Sequence, residues 1–271
     1  MAAGNMDNRR NRILDIIICS YVETAEPVGS RTISKHSDLG LSPASIRNVM
    51  ADLEEQGYLK QPHTSAGRIP SDKGYRYWVD SLMRPEELLE TEKDWIEKEI
   101  EKAKNIAGLV EKASKLISQL TENAAVIYVR NLKRVSFLNQ VLDELIEAHR
   151  LGDFLEEETE LFVDGIFRVF EQPEFQEVRM IRNLLQAFEE KYDLLQILLG
   201  DLQVQGVHVH IGSENVIGEL ENVSMVVKDY YVGQTPIGSV GVVGPTRMKY
   251  PKVVSVVDFV ADSVTERINR Y

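Results

Sequence analysis

Residues 41–82 read LSPASIRNVMADLEEQGYLKQPHTSAGRIPSDKGYRYWVDSL, and this stretch decides the fold of the N-terminal part. Ser42 is a preferred N-cap and Pro43 suits the first helical position, so a helix is expected to start at Pro43. Apolar residues then recur at i, i+3, i+4 and i+7, the spacing of one buried face: Ile46, Val49, Met50 and Leu53. Gly57 is expected to end the helix, because glycine readily adopts the left-handed conformation of a C-terminal cap.

The opposite face of this predicted helix is small, polar and cationic, and comprises Ala44, Ser45, Arg47, Asn48 and Ala51. Small side chains let a helix approach the floor of a DNA major groove, while arginine and asparagine offer paired hydrogen bonds to guanine and adenine edges. The pattern therefore predicts a DNA-reading helix. The alternative is a surface helix of some other helical domain.

The flanking residues predict a winged helix-turn-helix. Residues 28–35 are expected to form a short preceding helix, 38–41 a turn, and 58–70 a hairpin whose polar tip turns at Ala66-Gly67. One-sided apolar stripes before and after supply a core: Leu14, Ile17, Ile18, Tyr21, Val22, Tyr75, Trp78, Val79 and Leu82. The candidate DNA contacts are Arg31, Ser42, Ser45, Arg47, Asn48, Lys60, His63, Thr64, Ser65 and Arg68. Lys60 and Arg68 are predicted to contact phosphates, with the alternative that Arg68 only braces the hairpin.

The charge distribution is compatible with a DNA partner although the formal net charge is −12. Residues 1–84 carry 11 Lys+Arg and 10 Asp+Glu, whereas residues 85–271 carry 20 and 33. The acidity therefore belongs to the C-terminal part, and a near-neutral head with its cations on one surface can still bind phosphates.

After residue 84 the pattern predicts an α+β domain. Pro85 is expected to open one long helix that ends near residue 121, with a heptad-like stripe of Ile96, Ile100, Ala103, Ala107 and Val110. A buried strand is expected at 124–129, helices across 137–199, strands at 207–211, 224–227 and 237–243, and a last helix at 253–268. One strand before the helices and several after them indicate a sheet interrupted by a helical insertion.

Several motifs together resemble the HrcA family of bacterial heat-inducible transcription repressors. Besides the stretch at 41–82, these are VGSRTIS at 28–34, QPEF at 172–175, IGSEN at 211–215 and GVVGPTRMKYP at 241–251. The resemblance implies a winged-helix DNA-binding domain at 1–84, a GAF-like sheet domain formed by 85–129 and 201–271, and an inserted helical dimerisation region at 130–200. It also implies a homodimer that binds an inverted-repeat operator upstream of chaperone operons, with its activity maintained by the GroEL chaperonin.

The chain departs from this family after Val129. Relatives are expected to carry further strands there, whereas this chain continues through residues 130–135 directly into a helical pattern, so about 70 residues are expected to be absent. We also expect Phe162, Ile166, Phe167 and Phe170 to be exposed, which would make the domain marginally stable and attractive to a chaperonin.

Other functions find weaker support in the residues. Gly238, Gly241 and Gly244 have the wrong spacing for a dinucleotide-binding loop, so they are expected to help strands pack. His208 and His210 form a His-x-His pair without an evident third ligand, so no metal site is predicted. The spacing of the residues establishes no catalytic arrangement, so neither an enzyme nor a cofactor is predicted. The alternative function is a ligand-gated regulator whose GAF-like domain senses a small molecule.

Two further expectations concern environment and chemistry. The chain contains no long apolar run and no apolar segment near its N-terminus, so a cytoplasmic protein is expected. Its single cysteine, Cys19, excludes a disulfide within the chain and is expected to be a small semi-buried residue, with a redox sensor as the alternative.

Overall fold

The structure is a computed structural model that describes residues 8–37, 39–130, 159–189, 205–215, 220 and 222–270. Its contacts divide the chain into two units. The first, called the head, comprises residues up to Pro85 together with Thr246–Pro251. The second, called the body, comprises Glu86–Pro245 and the residues from Lys252 onward. The helical predictions for 137–145 and 194–199 lie outside the described residues.

The head has the predicted order of helix, helix, turn, helix and wing. Its elements are α1 (Asn8–Thr24), α2 (Ser30–His36), α3 (Pro43–Glu55), β1 (Leu59–Lys60), β2 (Ile69–Pro70) and α4 (Asp72–Ser81). The start signals of α3 are confirmed, because the Ser42 hydroxyl accepts a hydrogen bond from the Ser45 N–H at 3.1 Å and Pro43 is the first helical residue. Its end is confirmed as well: Gly57 has φ +78°, and the Tyr58 N–H donates to the Leu53 carbonyl at 2.8 Å.

The apolar stripes of the head meet in one core. Its fully or almost fully buried side chains include Ile13, Leu14, Ile17, Ile18, Ile33, Ile46, Met50, Leu53, Tyr75 and Trp78. Each such side chain contributes roughly 1.5–3 kcal/mol through removal of apolar surface from water. Trp78 keeps its polar atom satisfied inside this core, because its Nε1–H donates to Asp15 at 2.7 Å.

A short segment from late in the chain completes the head, which the sequence did not predict. Tyr250 is fully buried, with its ring centroid 5.9 Å from that of Tyr75 and 6.4 Å from that of Trp78. Its hydroxyl donates to the Thr246 carbonyl at 2.9 Å, and Arg247 donates from Nη1 to the Val22 carbonyl at 2.8 Å. Residues 246–251 therefore supply both an aromatic ring to the core and a cap to the end of α1.

The body opens with two helices where the sequence predicted one. They are α5 (Glu90–Glu101) and α6 (Ile106–Thr121). The single long helix opening at Pro85 was wrong at its start and in its middle. Helix α5 begins only at Glu90, and Asn105 caps a new helix, because its Oδ1 accepts the Gly108 N–H at 2.8 Å. The heptad-like stripe breaks at the same place, since Ile96, Ile100 and Ala103 are buried while Ala107 is exposed.

Among the described residues, five antiparallel strands form the sheet of the body. They are β3 (Ala124–Arg130), β4 (Thr159–Asp164), β5 (Val207–Ile211), β6 (Val223–Val232) and β7 (Thr235–Pro245), in the order β4-β3-β7-β6-β5. Strand β3 pairs with β7 more than a hundred residues later, for example Val126 opposite Gly241. The fold class is therefore confirmed: a winged helix-turn-helix followed by an α+β domain whose sheet is interrupted along the chain.

Strand β4 corrects a predicted helix. Residues 159–164 pair with β3 in a regular register, for example Phe162 opposite Ile127, and Gly165 at φ +73° ends the strand. Helix α7 (Ile166–Phe170) and helix α8 (Val178–Glu189) follow, with Pro173 opening a turn between them as predicted. Of the four apolar side chains expected to be exposed, Phe167 is 76% exposed, whereas Phe162, Ile166 and Phe170 are half-buried because strand pairing and core packing cover them.

Both faces of the sheet are covered. On one face, Val126, Tyr128, Met225 and their neighbours cluster with Val169, Phe175 and Leu184 from α7, the following turn and α8. Most alternate residues of β3, β6 and β7 are buried too. Helix α9 (Tyr250–Ile268) lies on that second face: Nζ of Lys228 donates to Asp258 at 2.8 Å and to Asp262 at 2.5 Å. The strand-packing role predicted for glycines in β7 is confirmed at Gly238, where a Cβ would collide with the Tyr128 carbonyl and the Tyr230 ring.

Candidate nucleic-acid interface

Helix α3 presents the polar face that the sequence predicted. Ile46, Met50 and Leu53 are buried and Val49 is half-buried, so Arg47 and Asn48 point away from the core and are exposed. Ser42 and Ser45 at the start of the helix are also exposed, with their hydroxyl oxygens 3.0 Å apart. An exposed arginine next to an exposed asparagine on a capped helix can donate paired hydrogen bonds to base edges.

A groove lies beside this helix, between α2, α3 and the wing. Its volume is about 520 Å³. It is lined by Gly29, Ser30, Arg31, Arg47, Met50, Gln61, Thr64, Ser65, Ala66, Gly67 and Arg68. Arg31, Arg47, Thr64, Ser65 and Arg68 among the predicted contacts therefore share one surface, while Ser42, Ser45, Asn48, Lys60 and His63 are exposed outside its lining. No aspartate or glutamate is among these described lining residues, so the groove is suited to an anion.

The wing is a minimal hairpin with an ordered tip. Leu59 pairs with Pro70 and Lys60 with Ile69, and the exposed tip carries His63, Thr64 and Ser65. The predicted turn at Ala66-Gly67 was placed too late: the Ala66 N–H donates to the His63 carbonyl at 2.9 Å, which closes the turn over 63–66. Gly67 is needed for another reason, since a Cβ there would collide with the backbone of Val28.

Gln61 and Glu54 are site residues that the sequence analysis missed. The side-chain amide of Gln61 donates to the carbonyls of Thr64 and Ala66 at 3.1 and 2.9 Å, which fixes the tip. Glu54, in the last turn of α3, accepts a hydrogen bond from Nε of Arg68 at 2.8 Å, and Nη2 of Arg68 lies 2.7 Å from the same carboxylate oxygen in an ion pair. A polar residue inside a short hairpin is a weak signal for Gln61, and no local pattern links Glu54 to a residue fourteen positions away.

The other candidate sites from the sequence are a possible metal pair, His208 and His210, and the single cysteine, Cys19. Among the described residues, no three His, Cys, Asp or Glu side chains lie close enough together to hold a metal ion. Glu214, which follows the His208-x-His210 pair, is engaged with the Ile211 N–H at 2.9 Å. Cys19 is exposed, so the expectation of a semi-buried residue was wrong. Desolvation, followed by the charge of Asp15, still raises the pKa of its thiol to about 11, which opposes the thiolate that a redox sensor requires.

The fold and the head surface together define the class of winged-helix transcriptional regulators. Comparison with solved structures supports the fold: a crystal structure described as that of a hypothetical protein at 2.2 Å resolution superposes with a TM-score of 0.73 and 24% identity. The match covers 98% of this chain and 99% of that one.

Sequence comparison gives the family. The family model for the HrcA protein C terminal domain matches residues 130–254. The heat-inducible transcription repressor HrcA of Pelotomaculum thermopropionicum is 34% identical over 339 residues, covering 98% of this chain and 97% of that protein. The HrcA of Carboxydothermus hydrogenoformans is 35% identical over 337 residues, covering 97% and 98%. The chain belongs to the HrcA family of heat-inducible transcription repressors.

The alignment length bears on the expected gap in the chain. The alignment of 339 positions is 68 longer than the 271 residues of this chain, so at least 68 positions face gaps in it. This agrees with the shortfall of about 70 residues expected from the sequence.

Within the part of the chain that the structure describes, no helix has the length and apolar character needed to span a bilayer.

Proposed function

We propose that this transcriptional repressor binds an inverted-repeat operator upstream of chaperone genes as a homodimer, and that the GroEL chaperonin maintains its activity. The observation that carries the proposal is the exposed face of α3, where Arg47 and Asn48 are exposed and Arg47 lines a groove with no aspartate or glutamate among its described lining residues. Arg31 and Lys60 add exposed cations on α2 and the wing. Base contacts from α3 would give sequence preference, while the other cations and the hydroxyls of the wing tip would position the head on phosphates.

The proposed dimer follows from the size of the site. One winged-helix head reads too few base pairs to define a unique genomic address, and a two-fold dimer doubles them into an inverted repeat. We assign the dimer contacts to residues 130–200, as predicted from the sequence. Four large apolar side chains are exposed in the described part of this region, and two of them, Phe167 and Val178, support that assignment most strongly with exposures of 76% and 72%.

The same exposed apolar side chains support the proposed chaperonin partner. A chaperonin that favours the folded repressor would raise operator occupancy by mass action, and heat-damaged proteins that occupy the chaperonin would lower it. Derepression on heating would then need no small ligand. Operator binding measured along a heating curve should persist longer with added chaperonin. Identical curves would reject this partner, and a change caused by a metabolite extract instead would favour the ligand-gated alternative.

The DNA-reading role is tested by titrating operator and unrelated DNA against variants of α3. Arg47→Ala and Asn48→Ala should each cost about 1–3 kcal/mol of specific binding and relax the preference for the operator. Arg76→Ala is the matched control, because Arg76 lies on α4 and pairs with Asp80 at 3.0 Å. Full operator preference in both α3 variants would reject α3 as the reader.

A further inference from the structure

Arg68 differs from the other predicted cationic DNA contacts because its side chain is already paired with a carboxylate, that of Glu54. Its Nε donates to one carboxylate oxygen of Glu54 at 2.8 Å, its Nη2 forms an ion pair with the same oxygen at 2.7 Å, and its side chain is only 18% exposed. Arg31, Arg47 and Lys60 are exposed on the same part of the head. A paired, largely covered arginine contributes little to a phosphate-binding surface, whereas a charge-assisted hydrogen bond within a close ion pair fixes geometry well.

The backbone of Arg68 is held as firmly as its side chain. Its N–H donates to the Val28 carbonyl and its carbonyl accepts the Val28 N–H, both at 2.9 Å. Gly67 allows this approach because it lacks a Cβ. Position 68 is therefore attached to the segment before α2 through its backbone and to the last turn of α3 through its side chain, immediately before strand β2 of the wing.

We infer that Glu54 and Arg68 are a positioning pair that fixes the wing against the reading helix and keeps the Arg68 guanidinium away from DNA phosphates. The inference rests on the proposed DNA binding by α3 and the wing. Each half of the pair has a separate effect. Arg68 holds the wing at one distance from α3. Glu54 pairs with the Arg68 guanidinium and so prevents it from binding the phosphates of any DNA sequence. The pair therefore favours operator preference over general affinity.

Salt dependence distinguishes this role from an ordinary phosphate contact. Each phosphate neutralised by a cation adds about 0.9 to the slope of log Kobs against log salt concentration. Glu54→Gln frees Arg68, so the slope should steepen by about 0.9 on operator and unrelated DNA alike, and the operator preference should fall by about tenfold. Arg68→Gln should leave the slope unchanged and lower the preference by a similar factor. Lys60→Gln, the matched control at an exposed cation, should reduce the slope by about 0.9.

A double variant with exchanged charges, Glu54→Arg with Arg68→Glu, separates loss of the ion pair from a general folding defect, because it restores the pair with the charges reversed. It should regain much of the operator preference that each single variant loses. A slope that falls by about 0.9 in Arg68→Gln, with no change in Glu54→Gln, would overturn the inference and make Arg68 a phosphate contact. If the unsubstituted protein shows no operator preference at all, the proposed function fails instead, and that result is recognised before any variant is compared.

Discussion

Replacing Tyr250 should destabilise the head although the residue lies 165 positions beyond Pro85 in the chain. Its ring is fully buried between Tyr75 and Trp78. Truncating a buried aromatic side chain to alanine costs about 3–5 kcal/mol, a large share of the roughly 5–15 kcal/mol that stabilises a domain. Tyr250→Phe keeps the ring and loses only the hydrogen bond to the Thr246 carbonyl, so it should cost about 1 kcal/mol.

Trp78 provides the assay, because its indole lies in the same core. The chain has two tryptophans, and Trp95→Phe leaves Trp78 as the only indole fluorophore. In that background the fluorescence-detected melting temperature should fall by at least about 12 °C in Tyr250→Ala and by about 4–8 °C in Tyr250→Phe. Leu89→Ala shortens an apolar side chain that is 65% exposed and should change little. An unchanged Trp78 transition in Tyr250→Ala would refute the role of residues 246–251 in the head.

Three further predictions concern other parts of the molecule. Gly67→Ala should lower both head stability and operator affinity in melting and titration, because its Cβ would meet the Val28 carbonyl; wild-type values would contradict this. Hydrogen bonds from Lys252 at 2.6 and 2.8 Å lower the pKa of Glu92, so their stabilisation is present above the unfolded pKa near 4.3 and lost on acidification. Melting temperatures of Glu92→Gln should therefore fall less below about pH 5 than those of the unsubstituted chain. Cys19, with its pKa raised to about 11, should react with iodoacetamide at pH 7 more slowly than free cysteine, and equal rates would reject the raised pKa.

The head could be predicted from sequence because its signals are local. Ser42, Pro43 and Gly57 mark the ends of α3 by backbone chemistry that acts within a few residues. The apolar period of α3 then fixes which face is buried, and the exposed position of Arg47 and Asn48 follows from it. These signals do not depend on what the rest of the chain does.

Predictions for the body failed where contacts between residues far apart in the chain determine secondary structure or burial. Residues 159–164 have apolar side chains that suit a helix as well as a strand, and only pairing with β3 selects the strand. The break between α5 and α6 was predictable in principle, since Asn105 is a good N-cap, but the apolar spacing continues across it. The burial of Tyr250 in the head depends on a contact between residues 172 positions apart in the chain, which no periodicity reveals.

Counting charges in the sequence also misjudges the proposed DNA-binding surface, because the count ignores which charges are already paired. The head's near-neutral balance includes Arg10 with Asp52, Arg68 with Glu54, and Arg76 with Asp80, all in ion pairs of 3.1 Å or less. These pairs remove equal numbers of both signs from the free surface. What remains around the groove is cationic without a compensating carboxylate among its described lining residues. A domain of almost no net charge can therefore present an anion-binding face, and affinity for DNA depends on the arrangement of its pairs more than on their sum.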